Sequence, residues 1–431
     1  MTQDAPANEG CRNGDASRPR SEEAQPHSNE GQPHSLAPLY PAQFFAGVVL
    51  IALGPMLNPI LRDLHISLAR GGIISLGFAT GRLLGVLALN FALAHVPVKW
   101  ALVGSAWIQA IGLAAAGLLA HGLWSLVIMY TVVGVAGVLP SLIPGMWVGS
   151  HVRQNTARAL LLVQLFVAMG VVIAPPVIGA ALGWGADWRW IFVGEAGFAV
   201  LMALLQTALP LADIPSRQNL RFRQLREVAG FAPRFLGVML LATFMYVGAE
   251  TTMSVWLAKF EADSFGASAG WAALAITLFW AGIMIGRYLT VPLTRRFRSS
   301  RLLAAFAAVF AVFAVAVGMS PTLALSQVSA FVCGLGASAI FSLLAGYCGK
   351  FPGWYSSVAY SAVMVAAMVG SMLFAYITGP IAVSLGFRAA ISFVAVPALI
   401  VLGLSFLLHG LAGEPKVDRD ELLTGGATPL S

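Results

Sequence analysis

Twelve apolar runs limit what this chain can become. They lie near residues 41–61, 71–92, 100–119, 123–147, 157–182, 189–209, 236–257, 270–292, 302–318, 324–347, 357–380 and 389–410. About 20 apolar residues carry a helix across the roughly 30 Å hydrocarbon core of a bilayer, and these runs are of that order. Backbone polar groups in lipid are satisfied only in helices or closed barrels, and the runs lack the two-residue alternation of barrel strands. The expected fold is an all-α integral membrane protein with 12 transmembrane helices. Composition agrees, at 58% hydrophobic and 10% charged residues, a balance outside the range of soluble domains.

The runs form two diverged copies of one design, residues 41–210 and 236–410. Gly81-Arg82-Leu83-Leu84 is matched by Gly286-Arg287-Tyr288-Leu289, about 205 positions later. Further along, the offset settles near 200, pairing Gly134 with Gly334, Gly170 with Gly370, Gly179 with Gly379 and, one position off, Arg189 with Arg388. A parallel repeat of a six-helix unit is the mark of a transporter whose site lies between its halves. The expected organisation is a polar, disordered tail over 1–36, a six-helix bundle over 37–210, a linker over 211–235, a second bundle over 236–412 and a tail over 413–431. The linker holds five arginines (Arg217, Arg221, Arg223, Arg226, Arg234). Their spacing suits a short amphipathic helix on an anionic membrane surface, or simply a positively charged inner loop.

Charge placement orients the chain. With both termini in the cytoplasm, 18 of the 25 lysines and arginines fall on that side, 5 on the other, and Arg82 and Arg287 lie inside helices. The positive-inside rule therefore places the termini on the cytoplasmic face, with a bacterial inner membrane the expected location. The net charge of +7 is a topology signal spread over separate loops, so no nucleic-acid partner is expected. Cys11, Cys333 and Cys348 form no disulfide or metal framework. With no HExxH, CxxC or phosphate-binding loop, neither catalysis nor a cofactor or metal is expected. The partners are a lipid bilayer, a small-molecule solute and protons, and a monomer suffices.

An ionisable side chain inside the bilayer costs at least about 2.5–3.5 kcal/mol, so each one is a functional candidate. Glu250 is the foremost, fourteen residues into the seventh run and about 21 Å along its helix. Thr243, Tyr246, Glu250, Met253 and Ser254 share one partly polar face of that helix. A carboxylate there can serve as the proton-coupling group, or rest as a glutamate hydrogen-bonded to a neighbouring helix. Arg82 and Arg287 recur symmetrically, which favours a structural or gating role over solute binding. Glu195, six residues past Arg189 near a helix end, is expected to sit in an ion pair. Asn58 stands between Pro55 and Pro59, whose missing N–H groups leave carbonyls free beside a cavity-facing helix. Pro140, Ser141 and Pro144 repeat that style in the fourth run. Gln164, Trp256 and Trp280 offer polar edges and flat apolar faces of the kind a sugar-like ligand prefers, with helix packing the plainer role for each.

Gly81-Arg82-Leu83-Leu84-Gly85, Asp187-Trp188-Arg189-Trp190-Ile191-Phe192 and the repeat itself resemble the major facilitator superfamily from residue 41 to 410. The resemblance implies two six-helix bundles related by a pseudo-two-fold axis, a cavity lined by helices 1, 4, 7 and 10, and rocking between inward- and outward-open states. It puts Asn58, Tyr130, Ser141, Tyr246, Glu250, Ser338 and Ser342 on the cavity-lining helices, all but Glu250 as candidate solute-binding residues. Tyr246-Val247-Gly248-Ala249-Glu250, Trp256 and Phe279-Trp280-Ala281-Gly282 resemble the fucose and sugar–proton symporter branch.

Two departures stand out. The loops after helices 2 and 8, Leu89 to Lys99 and Arg295-Arg296-Phe297-Arg298, lack the aspartate the superfamily usually places there. Gly170 to Gly179, with Pro175 and Pro176, matches an antiporter motif in part, with Ala174 and Ile178 where glycines are usual. Nor does the first helix hold a buried acid, since Asp63 falls at its outer end. Proton-coupled symport of a polar, sugar-like solute is the leading expectation. Proton-antiport export of drugs or metabolites is its rival, and a solute receptor without transport is a third reading.

Overall fold

A computed structural model of the chain describes residues 36–151, 156–213, 230, 232–351 and 355–411. Inside helices, the side chains at 87–94, 149–151, 156–162, 164, 291, 295 and 355–357 fall outside that description. Every regular element among the described residues is helical. Among the described residues, ten helices are long and apolar enough to cross a bilayer, or eleven when the bent pair Leu39–Ile51 and Leu53–Asp63 counts as one span. Leu68–His95, 28 residues long and carrying Arg70 and Arg82, completes the set of twelve.

After that bent first span and Leu68–His95, the N-terminal half continues with Val98–Leu119, Leu123–His151, Thr156–Gly183 and Trp188–Ala208. The seventh to ninth spans are Pro233–Phe265, Ala269–Arg296 and Ser299–Met319. The tenth joins Leu323–Ala337 to Ile340–Gly346 and a short 3-10 turn, Tyr347–Lys350. The eleventh is Tyr355–Leu385, and the twelfth joins Phe387–Ser392 to Ala395–Leu411.

Three spans are broken, each for a local reason. Pro55 has no N–H for the Ile51 carbonyl and presses its ring against it, and the two parts of the first span meet at 41°. Pro397 stands in the same relation to Phe393, at the break in the twelfth span. The tenth span breaks without proline. There the Gly334-Leu335-Gly336-Ala337 stretch gives little support, and the Ser338 hydroxyl donates to the Leu335 carbonyl at 2.7 Å, a local bond that competes with the helix ladder.

Two boundaries differ from expectation. The seventh span begins at Pro233 and runs on to Phe265 rather than ending near 257. Lys259 and Asp263, one turn apart, meet at 2.5 Å and neutralise each other, so the helix continues until Gly266 adopts a left-handed φ of 66° as its cap. The first span covers Leu39 to Asp63 instead of 41–61. The amphipathic linker helix expected within 211–235 lies outside the described residues, as do the tails. The start of the linker is nonetheless anchored: Asp213 accepts from the Val98 N–H at 3.0 Å, and the Trp147 indole donates to the Ala212 carbonyl at 2.9 Å.

The repeat survives in the packing. In the first half, spans 2 and 4, 1 and 5, 3 and 6, and 3 and 4 pack together; in the second, so do 8 and 10, 7 and 11, 9 and 12, and 9 and 10. The duplicated glycines mark equivalent approaches. Gly134 lies against the Phe78 carbonyl and Gly334 against that of Phe279, while Gly170 faces the Phe44 carbonyl and Gly370 that of Phe244. A side chain at any of the four would collide with backbone, so close helix contact requires glycine there. Even the arginine pair is conserved in use. Arg189 donates to the Ala120 carbonyl at 3.5 Å and Arg388 to the Ser320 carbonyl at 2.6 Å, each closing the end of its half's third helix.

Contacts between the halves follow the same symmetry. Span 2 packs on span 11, span 5 on span 8, and the second part of span 1 on span 7. Gly54 meets the Ser254 carbonyl, Gly72 meets the backbone of Ala375 and Tyr376, and Gly179 meets Ala273. These tight approaches all fall in the ends of the spans nearest the loops between spans 1 and 2, 5 and 6, 7 and 8, and 11 and 12.

Candidate functional site

The chemistry-bearing residues of the second half converge where spans 7, 8 and 10 meet. Glu250 is half-buried on span 7, within hydrogen-bonding reach of Tyr246 one turn earlier and in the field of Arg287 on span 8. Tyr246 is 1% exposed. Its hydroxyl donates to the Ala337 carbonyl at 2.9 Å, the last residue before the break in span 10, and its ring stands edge-on to Phe310 at 6.1 Å. Ser338, at the break itself, is buried and lies against Gly286, beside Arg287. A carboxylate, a tyrosine, a guanidinium and an interrupted helix thus share one junction. Such a junction can take up or release a proton and pass the change to the span 10 break.

One turn further along span 7, the Ser254 hydroxyl donates to the Glu250 carbonyl at 2.9 Å and accepts from the Trp280 indole at 3.1 Å. Trp280 is half-buried and so held in a fixed orientation next to the acid. Trp256 is fully buried in the seam between the halves. Its indole donates to the Ala375 carbonyl at 3.0 Å, its ring lies 6.0 Å from Phe387, and Gly71 and Gly379 both approach it.

The other expected residues are dispersed. Tyr130 is 1% exposed, stacked on Phe78 at 4.8 Å, and donates to the Val49 carbonyl at 3.4 Å. Ser141 bonds back to the Gly137 carbonyl at 2.8 Å, Ser342 is exposed, and the Gln164 side chain lies outside the described residues. The symmetric arginines each keep a buried Nε without a hydrogen-bond partner among the described residues, Arg82 with its guanidinium 6.0 Å from the Phe78 ring. Among the described residues, neither Nε reaches a backbone carbonyl.

Asn58 lines a cavity of about 950 Å³ that opens toward the loops between spans 1 and 2, 5 and 6, and 7 and 8. Its Oδ1 is shut off from solvent and has no hydrogen-bond partner among the described residues. Arg62, His65 and Lys259 also border the cavity. On its rim, Asp63 accepts from Arg189 at 2.5 Å and from the Trp188 indole at 3.3 Å, while the Arg189 guanidinium rests on the Trp188 ring at 4.3 Å. Gly266 to Gly270 spell the Gly-x-Ser-x-Gly string of hydrolase nucleophiles. Here the string is a helix–helix turn, with Gly266 capping span 7 and Ser268 preceding span 8, not the strand-to-helix turn that chemistry needs.

Two acids change standing. Glu195 was expected in an ion pair near the outer membrane surface. It is 7% exposed and neither carboxylate oxygen has a partner among the described residues, because Arg189 turns to Asp63 instead. Glu261, absent from the sequence inventory, is fully buried, accepting from Ser326 at 2.8 Å and Gln327 at 3.2 Å. Gln327 also donates to the Trp271 carbonyl at 2.9 Å, so Glu261 ties spans 7, 8 and 10. The Lys259–Asp263 spacing and the Gly266 stop were the signals that the helix reached that far. No group of three potential metal ligands occurs among the described residues.

The family model described as Major Facilitator Superfamily matches residues 39–349. Among its relatives, the Protein TsgA homolog of Edwardsiella ictaluri (strain 93-146) is 24% identical over 358 residues, spanning 80% of this chain and 87% of its own. The Glucose/galactose transporter of Brucella abortus biovar 1 (strain 9-941) is 26% identical over 254 residues, 55% of this chain and 60% of its own. In fold, the chain resembles a bacterial homologue of the human lysosomal transporter Spinster in an inward-facing, unoccupied conformation. The TM-score is 0.73 at 16% identity, covering 89% of this chain and 98% of that one. The E. coli fucose:proton symporter FucP matches with a TM-score of 0.61 at 18% identity, covering 86% and 98%.

Proposed function

We infer that this chain, which belongs to the Major Facilitator Superfamily, uses its two halves to carry a small, polar, sugar-like solute across the membrane together with protons. It is a multi-pass membrane transporter and not an enzyme. The observation that carries the proton-coupled reading is the junction at Glu250. A carboxylate held between Tyr246 and Arg287, one bond away from the break in span 10, can exchange a proton and move a helix with it. The sugar-like reading draws on the relative named for glucose and galactose, and on the indole face of Trp280 beside Glu250, with Trp256 in the same proposed set on span 7. Asn58, Ser141, Ser338 and Ser342 supply hydroxyl and amide groups on spans 1, 4 and 10, with Tyr130 and Tyr246 holding those spans in register. Gln164 belongs to the same proposed set on span 5, while Arg82 and Arg287 serve structure or gating. Bundles 37–210 and 236–412 rock as units in this scheme, as a monomer, with both termini on the cytoplasmic side of a bacterial inner membrane.

The partial antiporter motif in span 5 gives export little weight. Its two end glycines, Gly170 and Gly179, are accounted for by contacts with spans 1 and 8. The test is uptake of labelled D-galactose and D-glucose into proteoliposomes under an imposed proton gradient. Wild-type protein is expected to accumulate solute, and Glu250→Gln to lose gradient-driven accumulation while keeping counterflow exchange. Normal accumulation by the Gln variant would remove Glu250 from the mechanism, and solute efflux against inward proton flow would reverse the direction. If neither sugar moves, a solute screen by thermal stabilisation identifies what the folded state binds.

A further inference from the structure

Glu195 sits about 10 Å along the sixth span from its start, in the interior of the N-terminal half. Both carboxylate oxygens are closed off from solvent and receive no hydrogen bond among the described residues. An ionised carboxylate without water, cation or donor is among the costliest arrangements an interior can hold, whereas a carboxylic acid is tolerated.

Few charges face it. Tyr130 on span 4 is its electrostatic neighbour. Arg189, on its own helix, is committed to Asp63 at the end of span 1. Span 3, which packs along span 6, has no titratable residue between Lys99 and His121, span 5 has none after Arg158, and span 1 has none between Tyr40 and Arg62.

Tyr130 links this acid to a helix break. Its hydroxyl donates to the Val49 carbonyl, three residues before the bend of span 1 at Ala52. The second half repeats the arrangement with other residues: Glu250, then Tyr246, then the Ala337 carbonyl at the break in span 10.

We propose that Glu195 is a second proton site of the transporter, holding its proton in this conformation and releasing it when span 1 moves and water enters. In that step the carboxyl O–H bond breaks, the proton passes to the entering water, and the electron pair stays on the carboxylate. The proposal rests on the transport reading of the chain, but its test does not need a known solute.

Full-length protein in lipid nanodiscs is titrated with pH and followed by infrared difference spectroscopy of protonated carboxyl groups, alongside intrinsic tryptophan fluorescence. Wild-type protein should show a protonated-carboxyl component at neutral pH that Glu195→Gln lacks and Glu250→Gln retains. The double variant Glu250→Gln/Glu261→Gln must still carry it, which identifies the group even if Glu195→Gln folds poorly. The fluorescence profile of Glu195→Gln should lose one pH step present in the wild type. An unchanged infrared spectrum in Glu195→Gln, loss of the component in the double variant, or an unaltered pH profile overturns the proposal. Absence of sugar flux would instead count only against the solute assignment.

Discussion

The two halves of this transporter agree in how they pack and differ in where they place charge. Glycines at equivalent positions face equivalent carbonyls, and Arg189 and Arg388 close equivalent helix ends. The acids do not correspond. The position matching Glu250 is Leu50, and the one matching Glu195 is Ala395 or its neighbour Val394. Glu250 has Arg287 across from it, whereas Glu195 faces no cation among the described residues. Packing demands, which are the same in both bundles, have kept the copies alike. Buried acids, costly wherever they ionise, settled at different positions in the two copies.

Four substitution pairs test that contrast. Gly134→Leu and Gly334→Leu should each destabilise the protein by about 3 kcal/mol or more through overpacking against backbone. Similar drops in the melting midpoint are expected in detergent; a large effect in one half alone would break the packing equivalence. Trp256→Phe, which removes the indole bond from span 7 to span 11, should cost about 2 kcal/mol. Met56→Leu at the matching position should cost under about 1.5 kcal/mol as a volume-conserving change. Tyr246→Phe and Tyr130→Phe each lose one hydroxyl bond and should cost about 1 kcal/mol. The larger loss is expected for Tyr246, whose bond is 2.9 Å against 3.4 Å; equal unfolding curves would erase this difference between the halves. Smallest of all, Asp63→Asn and Asp263→Asn should each cost about 0.5 kcal/mol, since both pairs are partly exposed. Added salt should weaken the wild type's advantage over each variant, and no salt dependence would show that these pairs contribute nothing.

Much of the architecture is legible in the chain. Run length gives the spans, the Gly-Arg imprint gives the repeat, and Pro55 accounts for the bend in span 1. The site is less legible, for identifiable reasons. Glu195 lies six positions from Arg189, a spacing that puts the two on different sides of a helix, and the arginine's partner is 126 residues away. Glu261 hides behind Lys259 and Asp263, which look like a loop until their mutual pairing extends the helix. The breaks in spans 10 and 12 differ in visibility, because Pro397 announces one, while the other depends on small residues and a serine bonding back to its own helix. Tyr130 and Tyr246 also hold carbonyls of neighbouring spans, which only three-dimensional proximity reveals.

Gly54 rests against the backbone of Ser254, the residue 200 positions later and therefore its own copy. A residue touches its counterpart only where the pseudo-two-fold axis passes. If the halves were identical subunits, any side chain added at that spot would meet itself, and one mutation would be felt twice. Fusion into a single chain lifts that constraint. One copy can remain a glycine while the other takes a hydroxyl that reaches Glu250 and Trp280, so asymmetry can enter at the one point where symmetry would otherwise forbid it.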